Sequence, residues 1–278
     1  MIKTPMAYMP LATYPEAVSD ETIRAAAGLA ASLGSALNVT TFSVDIPRVP
    51  SPLAGLLIDI PALVQAAETK SKYECDRLQR LVQGIVASPA VTCTSRKVVL
   101  GGMLDAAAIE ARYYDLAVLP WSKDTVSAQH LIEAVVFGSG RPTILVPGSA
   151  RPAALDHIAI AWDASRVAAR ALGDALPLLA EGGRVTVLTV RDEKPLGGSA
   201  LAGLLASSLE KRGYDATPLE ITLRERTIAQ ALQDTALEQG AQVLAMGGFG
   251  HSRFRDFILG GATMGVFADL RLPVLLAH

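Results

Sequence analysis

The feature that most constrains this chain is that its two halves repeat one pattern. Tyr114-Asp-Leu-Ala-Val-Leu-Pro120 matches Ala241-Gln-Val-Leu-Ala-Met-Gly247, and Pro142-Thr-Ile-Leu-Val146 matches Pro273-Val-Leu-Leu-Ala277. Around these anchors, short apolar runs alternate with helix-period segments in the order βαβαβαβαβ, once per half. Such alternation specifies a parallel sheet with helices on both faces. At 278 residues the chain suits two domains of ordinary size. The expected division is 1–149 and 153–278, joined by the polar connector Gly148-Ser-Ala-Arg-Pro152.

In the first half the expected order begins with the extended run Met6–Thr13. A helix from Glu21 to about Leu33 follows, capped by Ser19-Asp20 and stopped by Gly34. Next come a β-branched strand Ala36–Asp45, an irregular proline-rich connection over 46–60, and a long helix from Ala62 to Val86. The half closes with strand Val91–Val99, helix Asp105–Tyr113, strand Asp115–Pro120, helix Ala128–Phe137 and strand Pro142–Pro147. The second half reads as strand His157–Asp163, helix Ser165–Ala180, strand Arg184–Val190, a helix near Ala200–Lys211, strand Ala216–Thr222 and helix Thr227–Gln239. Strand Gln242–Met246, a last helix from about Ala262 and strand Pro273–Ala277 complete it.

Composition narrows the function. Half of the residues are hydrophobic and mean hydropathy is +0.34, yet no apolar run approaches the roughly 20 residues that span a bilayer. Apolar strands buried on both faces of a parallel sheet account for that content. The start Met1-Ile-Lys-Thr-Pro lacks the core of a signal peptide, so the expected location is cytoplasmic. A formal net charge of −2 offers no case for nucleic acid or for an anionic membrane surface. Cys75 and Cys93, and the histidines His130, His157, His251 and His278, show no metal-ligand spacing. There is no P-loop, no G-x-S-x-G elbow and no third glycine to make Gly248-Phe-Gly250 a dinucleotide fingerprint. No catalytic residues are identified.

One stretch stands out, Met246 to Thr263, where glycines cluster at the end of a strand and again at the start of a helix. Backbone N–H groups at Gly260, Gly261, Ala262 and Thr263, with the Thr263 hydroxyl, suit phosphate oxygens, since glycine lets the backbone approach an anion. Between the clusters, Arg253, Arg255 and Asp256 read as a solvated face, while Phe254, Phe257, Ile258 and Leu259 pack inward. In an open α/β sheet this stretch meets two other strand ends at the switch point, Ala161-Trp162-Asp163 and Val190. Two roles stay open for Asp163: accepting from a ribose hydroxyl or base amine, or capping the helix that begins at Ala164 or Ser165. The first half has Trp121-Ser-Lys-Asp-Thr125 in place of the glycines, so one site per chain is expected.

These residues resemble the universal stress protein family. Gly247, Gly250 and Gly260 match its glycine spacing, Met246 precedes them as is typical, and Asp163 supplies the carboxylate that ends the first strand. Two copies over the whole chain resemble the tandem members. The resemblance implies two doubly wound units with five-stranded parallel sheets, adenine nucleotide alpha hydrolase-like with flavodoxin-like layering. The units would pack through their last strands as an intramolecular pseudo-dimer. It also implies ATP in the second half, with Mg²⁺ where the phosphates require it. Ala161, Trp162, Asp163 and Val190 would then lie near adenine and ribose. Met246, Gly247, Gly250, Gly260, Gly261, Ala262 and Thr263 would lie around ribose and phosphates. Gly261 departs from the family's Ser or Thr, and Trp162 is bulky for a pocket wall. The function implied is a stress-response regulator with at most slow ATP hydrolysis, a homodimer or an unidentified protein being its further partner. The alternative is a non-ATP-binding scaffold of the same family that takes another small ligand or a protein through residues 46–87. A true hydrolase of related fold ranks third, because nothing in the sequence supplies its chemistry.

Overall fold

The structure is a computed structural model and describes residues 4–48, 59–86, 90–151, 153–191, 201–248 and 261–278. The first unit runs β1 (Met6–Ala12), α1 (Asp20–Ser32), β2 (Ala36–Asp45), α2 (Ile60–Gln83), β3 (Val91–Val99), α3 (Met103–Ala111), β4 (Leu116–Trp121), α4 (Val126–Gly138) and β5 (Thr143–Pro147). The second runs β6 (His157–Ala161), α5 (Arg166–Ala175), β7 (Arg184–Val190), α6 (Leu201–Glu210), β8 (Asp215–Ile221), α7 (Ile228–Glu238), β9 (Val243–Gly247), α8 (Gly261–Ala268) and β10 (Val274–Ala277).

All ten strands form one sheet in the order β3-β2-β1-β4-β5-β10-β9-β6-β7-β8. Read outward from the middle, both units have the same strand order. Pairing is parallel within each unit and antiparallel only at β5–β10, where Val274, Leu275 and Leu276 lie opposite Leu145, Ile144 and Thr143. The expected pseudo-dimer is thus a seam between two last strands. It is apolar because every residue of β5 and β10 is buried.

Strand alternation sends successive side chains to opposite faces, so two cores form. One holds Met9, Leu11, Ile144, Ile158, Ile160, Val243 and Leu275 beneath α1, α2, α5 and α6. The other holds Leu119, Leu145, Ala159, Leu188, Leu244, Met246 and Leu276 beneath α3, α4, α7 and α8. Each core is continuous across the seam, which ties the units together on both faces.

Local chemistry explains the element limits. Ser19 caps α1 by accepting from the Thr22 N–H, and Gly34 ends it at φ +66°. Thr227 and Gln230 form a reciprocal capping box at the start of α7. Several expectations shift by a few residues. α2 starts at Ile60, capped by Asp59 with Pro61 in its first turn, and ends at Gln83 rather than Val86. α3 lies at Met103–Ala111, two residues earlier than expected. The helix expected over 165–180 stops at Ala175 and tightens into a 3₁₀ turn at Leu176–Leu178, because Pro177 has no N–H to continue it. β6 ends at Ala161, so Asp163 lies beyond the strand instead of ending it. Of the proline-rich connection, 49–58 lies outside the described residues.

Candidate functional site

In the second unit, β6 lies between β7 and β9. α5, the helix after β6, packs on one face of the sheet, and α8, the helix after β9, packs on the other. Connections that diverge this way open a crevice beyond the carboxyl ends of the two strands.

The β6 side of the crevice is a shaped turn. The Trp162 N–H donates to the Leu188 carbonyl at 2.7 Å, and the Trp162 carbonyl accepts from the Thr189 hydroxyl at 3.1 Å. The Trp162 ring is half-buried against the core beneath α5 and α6. Asp163 is exposed, and its Oδ1 accepts the Ser165 N–H at 2.9 Å. Between them Ala164 sits at φ +59°, a left-handed conformation that a residue with a Cβ adopts at some cost. Ser165 is the helix cap, its Oγ accepting from the Ala168 N–H at 3.2 Å. Of the two open roles for Asp163, capping therefore belongs to Ser165. Asp163 shapes the turn before it, and among the described residues only one of its carboxylate oxygens is engaged.

Val190 ends β7 and is buried. Met246 is buried on the α8 face. Gly247 faces α5, where an added Cβ would come within 2.6 Å of Val167 Cγ2 and 2.8 Å of the Val167 backbone carbon. Glycine is required there by close packing of the strand end on the first turn of α5. The Gly248 N–H donates to the Ala277 carbonyl at 2.8 Å and so extends the sheet past β9.

Across the crevice α8 begins at Gly261, which is exposed; a Cβ there would meet nothing within 4 Å. Ala262 is half-buried, and Thr263 is only 2% exposed, so its hydroxyl sits on the packed side of the helix. Gly265 fixes the position of α8, since a Cβ on it would lie 2.5 Å from Ala229 Cβ in α7. Gly250 and Gly260 lie outside the described residues, as do His251, Ser252, Arg253 and Arg255. The structure brings together Ala161, Trp162, Asp163, Met246 and Gly247 at the β6–β9 ends. Sequence reading missed Val167, Ala164 and Gly265. Only the spacing Gly261-x-x-x-Gly265 carried a signal of close helix packing.

The matching place in the first unit is closed. By strand register Pro120 occupies the position of Gly247, and Trp121, buried, that of Gly248. The Thr13 hydroxyl donates to the Phe42 carbonyl at 2.6 Å and lies 2.6 Å from Ser71 Oγ. The space left among Leu11, Ala12, Leu119, Thr125 and Leu131 is about 10 Å³, the room of a single water.

Titratable groups with shifted pKa values lie away from the crevice. At the amino end of β6, burial and the Arg184 charge push His157 below its ordinary value; its Nε2 is 2.8 Å from Thr186 Oγ1. Burial raises the Cys93 thiol. Among the described residues no group of three His, Cys, Asp or Glu could hold a metal ion, and no helix is long and apolar enough to cross a membrane.

A sequence model of the universal stress protein family matches residues 154–278. Among solved structures, a universal stress protein from Archaeoglobus fulgidus DSM 4304 is similar over 97% of this chain and 97% of its own, with TM-score 0.68 and 15% identity. A Pseudomonas aeruginosa UCBPP-PA14 protein assigned to the same family is similar over 98% of this chain and 93% of its own, with TM-score 0.56 and 13% identity. A functionally unknown protein from Pseudomonas aeruginosa PAO1 covers 97% of this chain and 92% of its own, with TM-score 0.52 and 14% identity. At such identities the likeness concerns the fold. No curated protein matches the chain in sequence.

Proposed function

We propose that this chain, whose residues 154–278 match the universal stress protein family, is a stress-response regulator that binds an adenine nucleotide, ATP foremost, at the β6–β9 crevice. The observation that carries this reading is the contrast between the two switch points. One ends in the buried Trp121 and leaves only the room of a water beside the strand ends. The other has Gly247 and Gly248 in the matching positions and an exposed helix start at Gly261. In this reading Ala161, Asp163 and Val190 face adenine and ribose. Backbone N–H groups of Gly261 and Ala262, with Gly250 and Gly260, receive the phosphates, helped by the positive end of α8. The free oxygen of Asp163 accepts a ribose hydroxyl, while its partner oxygen keeps the turn. Thr263 contributes packing rather than a hydroxyl contact. Any Mg²⁺ travels with the phosphates, because the described residues offer no cluster to hold it. The division into units 1–149 and 153–278 goes with one nucleotide per chain.

The test is calorimetric titration of the full chain with ATP and Mg²⁺, beside a Gly248→Trp variant that copies the first unit's residue. Saturable binding by the native protein, lost in the variant, is expected. No binding at millimolar ATP would sink the proposal.

A second reading, a scaffold that docks a protein partner, is favoured by α2. It exposes Ile60, Leu63 and Tyr73, the last two at 60% and 61%. Sedimentation of the native protein and of a Leu63→Lys variant tests whether a homodimer uses this surface. Identical monomeric behaviour of both would remove the second copy as the occupant.

A further inference from the structure

The linker between the units straps across the amino ends of two strands. After β5 it turns, the Ala150 N–H donating to the Pro147 carbonyl at 3.0 Å, and it passes β10 and β9 to enter β6. Gln242 ties down its far end. Its Nε2 donates to the Ala154 carbonyl at 2.6 Å, and its Oε1 accepts from the N–H groups of Asp156 and His157 at 2.8 and 3.0 Å.

Beneath the strap is a cavity of about 180 Å³. Its apolar walls come from Leu29 of α1, Leu155 of the strap, Leu237 of α7, and Ala241, Leu272 and Pro273 beside β9 and β10. It therefore touches both units and the connector at once. A cavity of roughly 150 Å³ lined by apolar side chains is enough to hold benzene, so this one takes a single ring with a small substituent.

Two guanidinium groups line the same cavity. Arg271 is already neutralised by Asp234 and by Asp269, its Nε lying 2.8 Å from Asp269 Oδ2. Arg151 is exposed, and its Nη1 reaches only the carbonyls of Gly148, Ser149 and Ala150, at 3.5, 3.1 and 3.3 Å. Among the described residues it has no carboxylate partner. An uncompensated guanidinium beside a ring-sized apolar cavity selects a single negative charge on a compact apolar body. A carboxylate matches the planar donor fork of arginine, whereas a dianion would meet Asp234 and Asp269 with, among the described residues that line the cavity, a single uncompensated cation to offset them.

We propose that this cavity is a binding site for a small monocarboxylic acid with a ring-sized apolar body, of which benzoate is the probe. The carboxylate pairs with Arg151 and the ring lies on Leu29, Leu155 and Leu272. A ligand that contacts both units and the strap raises the stability of their docking by mass action. This site is separate from the crevice and stands whether or not that crevice binds ATP.

The experiment is titration of the full chain with benzoate, followed by calorimetry and thermal melting, with benzyl alcohol as the uncharged comparison. Saturable benzoate binding that raises Tm is expected, with much weaker binding of benzyl alcohol. Arg151→Ala should weaken benzoate by about tenfold, the scale of a lost charged hydrogen bond at an exposed site. Leu237→Trp should block the cavity, and both variants should keep the native response to ATP, whatever it is. Absence of saturable binding overturns the proposal. So does benzoate binding that neither substitution changes, or benzyl alcohol binding as tight as benzoate.

Discussion

The fourth strands of the two units lie in equivalent places and end in opposite ways. β4 ends in Pro120-Trp121, with the indole buried; β9 ends in Gly247, and Gly248 follows it. The flanking architecture is shared: same strand order, same helix sides, and serine caps on both α1 and α5. A doubly wound unit therefore needs no open crevice to be stable. In the first unit, side chains occupy the place where a ligand would lie, and burial of Trp121 adds to the core. In the second, Gly247 and Gly248 stand at the matching positions and, among the described residues, add no side chain there.

The largest expected effect comes from breaking the seam that makes the units comparable. Leu275 is wholly buried opposite Ile144. Leu275→Asp removes its apolar burial and places a carboxylate in the core, at a cost of more than ~4 kcal/mol. Denaturant titration should then show two transitions or none in place of one. Next is Trp121→Gly, which removes the indole buried at the end of β4. Loss of a buried indole costs about 3 kcal/mol or more, and no ATP affinity should appear in the first unit, since it lacks a glycine-bearing helix start. Titration of this variant in a Gly248→Trp background would isolate the first unit's contribution.

A smaller effect is expected from Gly247→Val. The added side chain overlaps Val167 and forces α5 to shift, costing ~1–3 kcal/mol. Thermal melting should report a fall of a few degrees per kcal/mol for a chain of this size, together with loss of ATP binding. The smallest effect concerns His157. Its pKa is lowered in the folded state, by burial first and by Arg184 second. The unfolded chain therefore binds the proton more readily. Stability from the neutral imidazole is complete above pH about 6.5 and is lost as pH falls from there toward the folded value. His157→Gln should flatten that segment of the stability–pH profile measured in urea.

Much of the fold was legible because its signals are local. Gly34, Ser19, Thr227 and Gln230 mark helix limits through their own backbone contacts. The short apolar runs of β4, β5 and β10, Thr143 aside, read as strands buried on both faces. The candidate site was legible in part. Glycine at 247 is visible in the sequence, but the reason for it, the approach of Val167 from α5, depends on residues 80 positions away. Nothing local in the sequence around Thr263 shows that it is buried, which depends on how α8 packs against the rest of the unit. The cap of α5 was ambiguous between neighbours until the left-handed turn at Ala164 gave it to Ser165.

What the sequence by itself determined was the repeated βα order, the lack of an apolar run long enough to span a bilayer, and which half carries the glycines. These follow from periodicity and residue type, which act over a few residues. Tertiary structure alone decided the register of the β5–β10 seam, that a cavity lies beneath the strap between the units, and that among the described residues Arg151 lines it without a carboxylate partner. Those outcomes depend on which surfaces meet after the strands have paired. The free energy of burying β5 against β10 belongs to both strands together and is written in neither one.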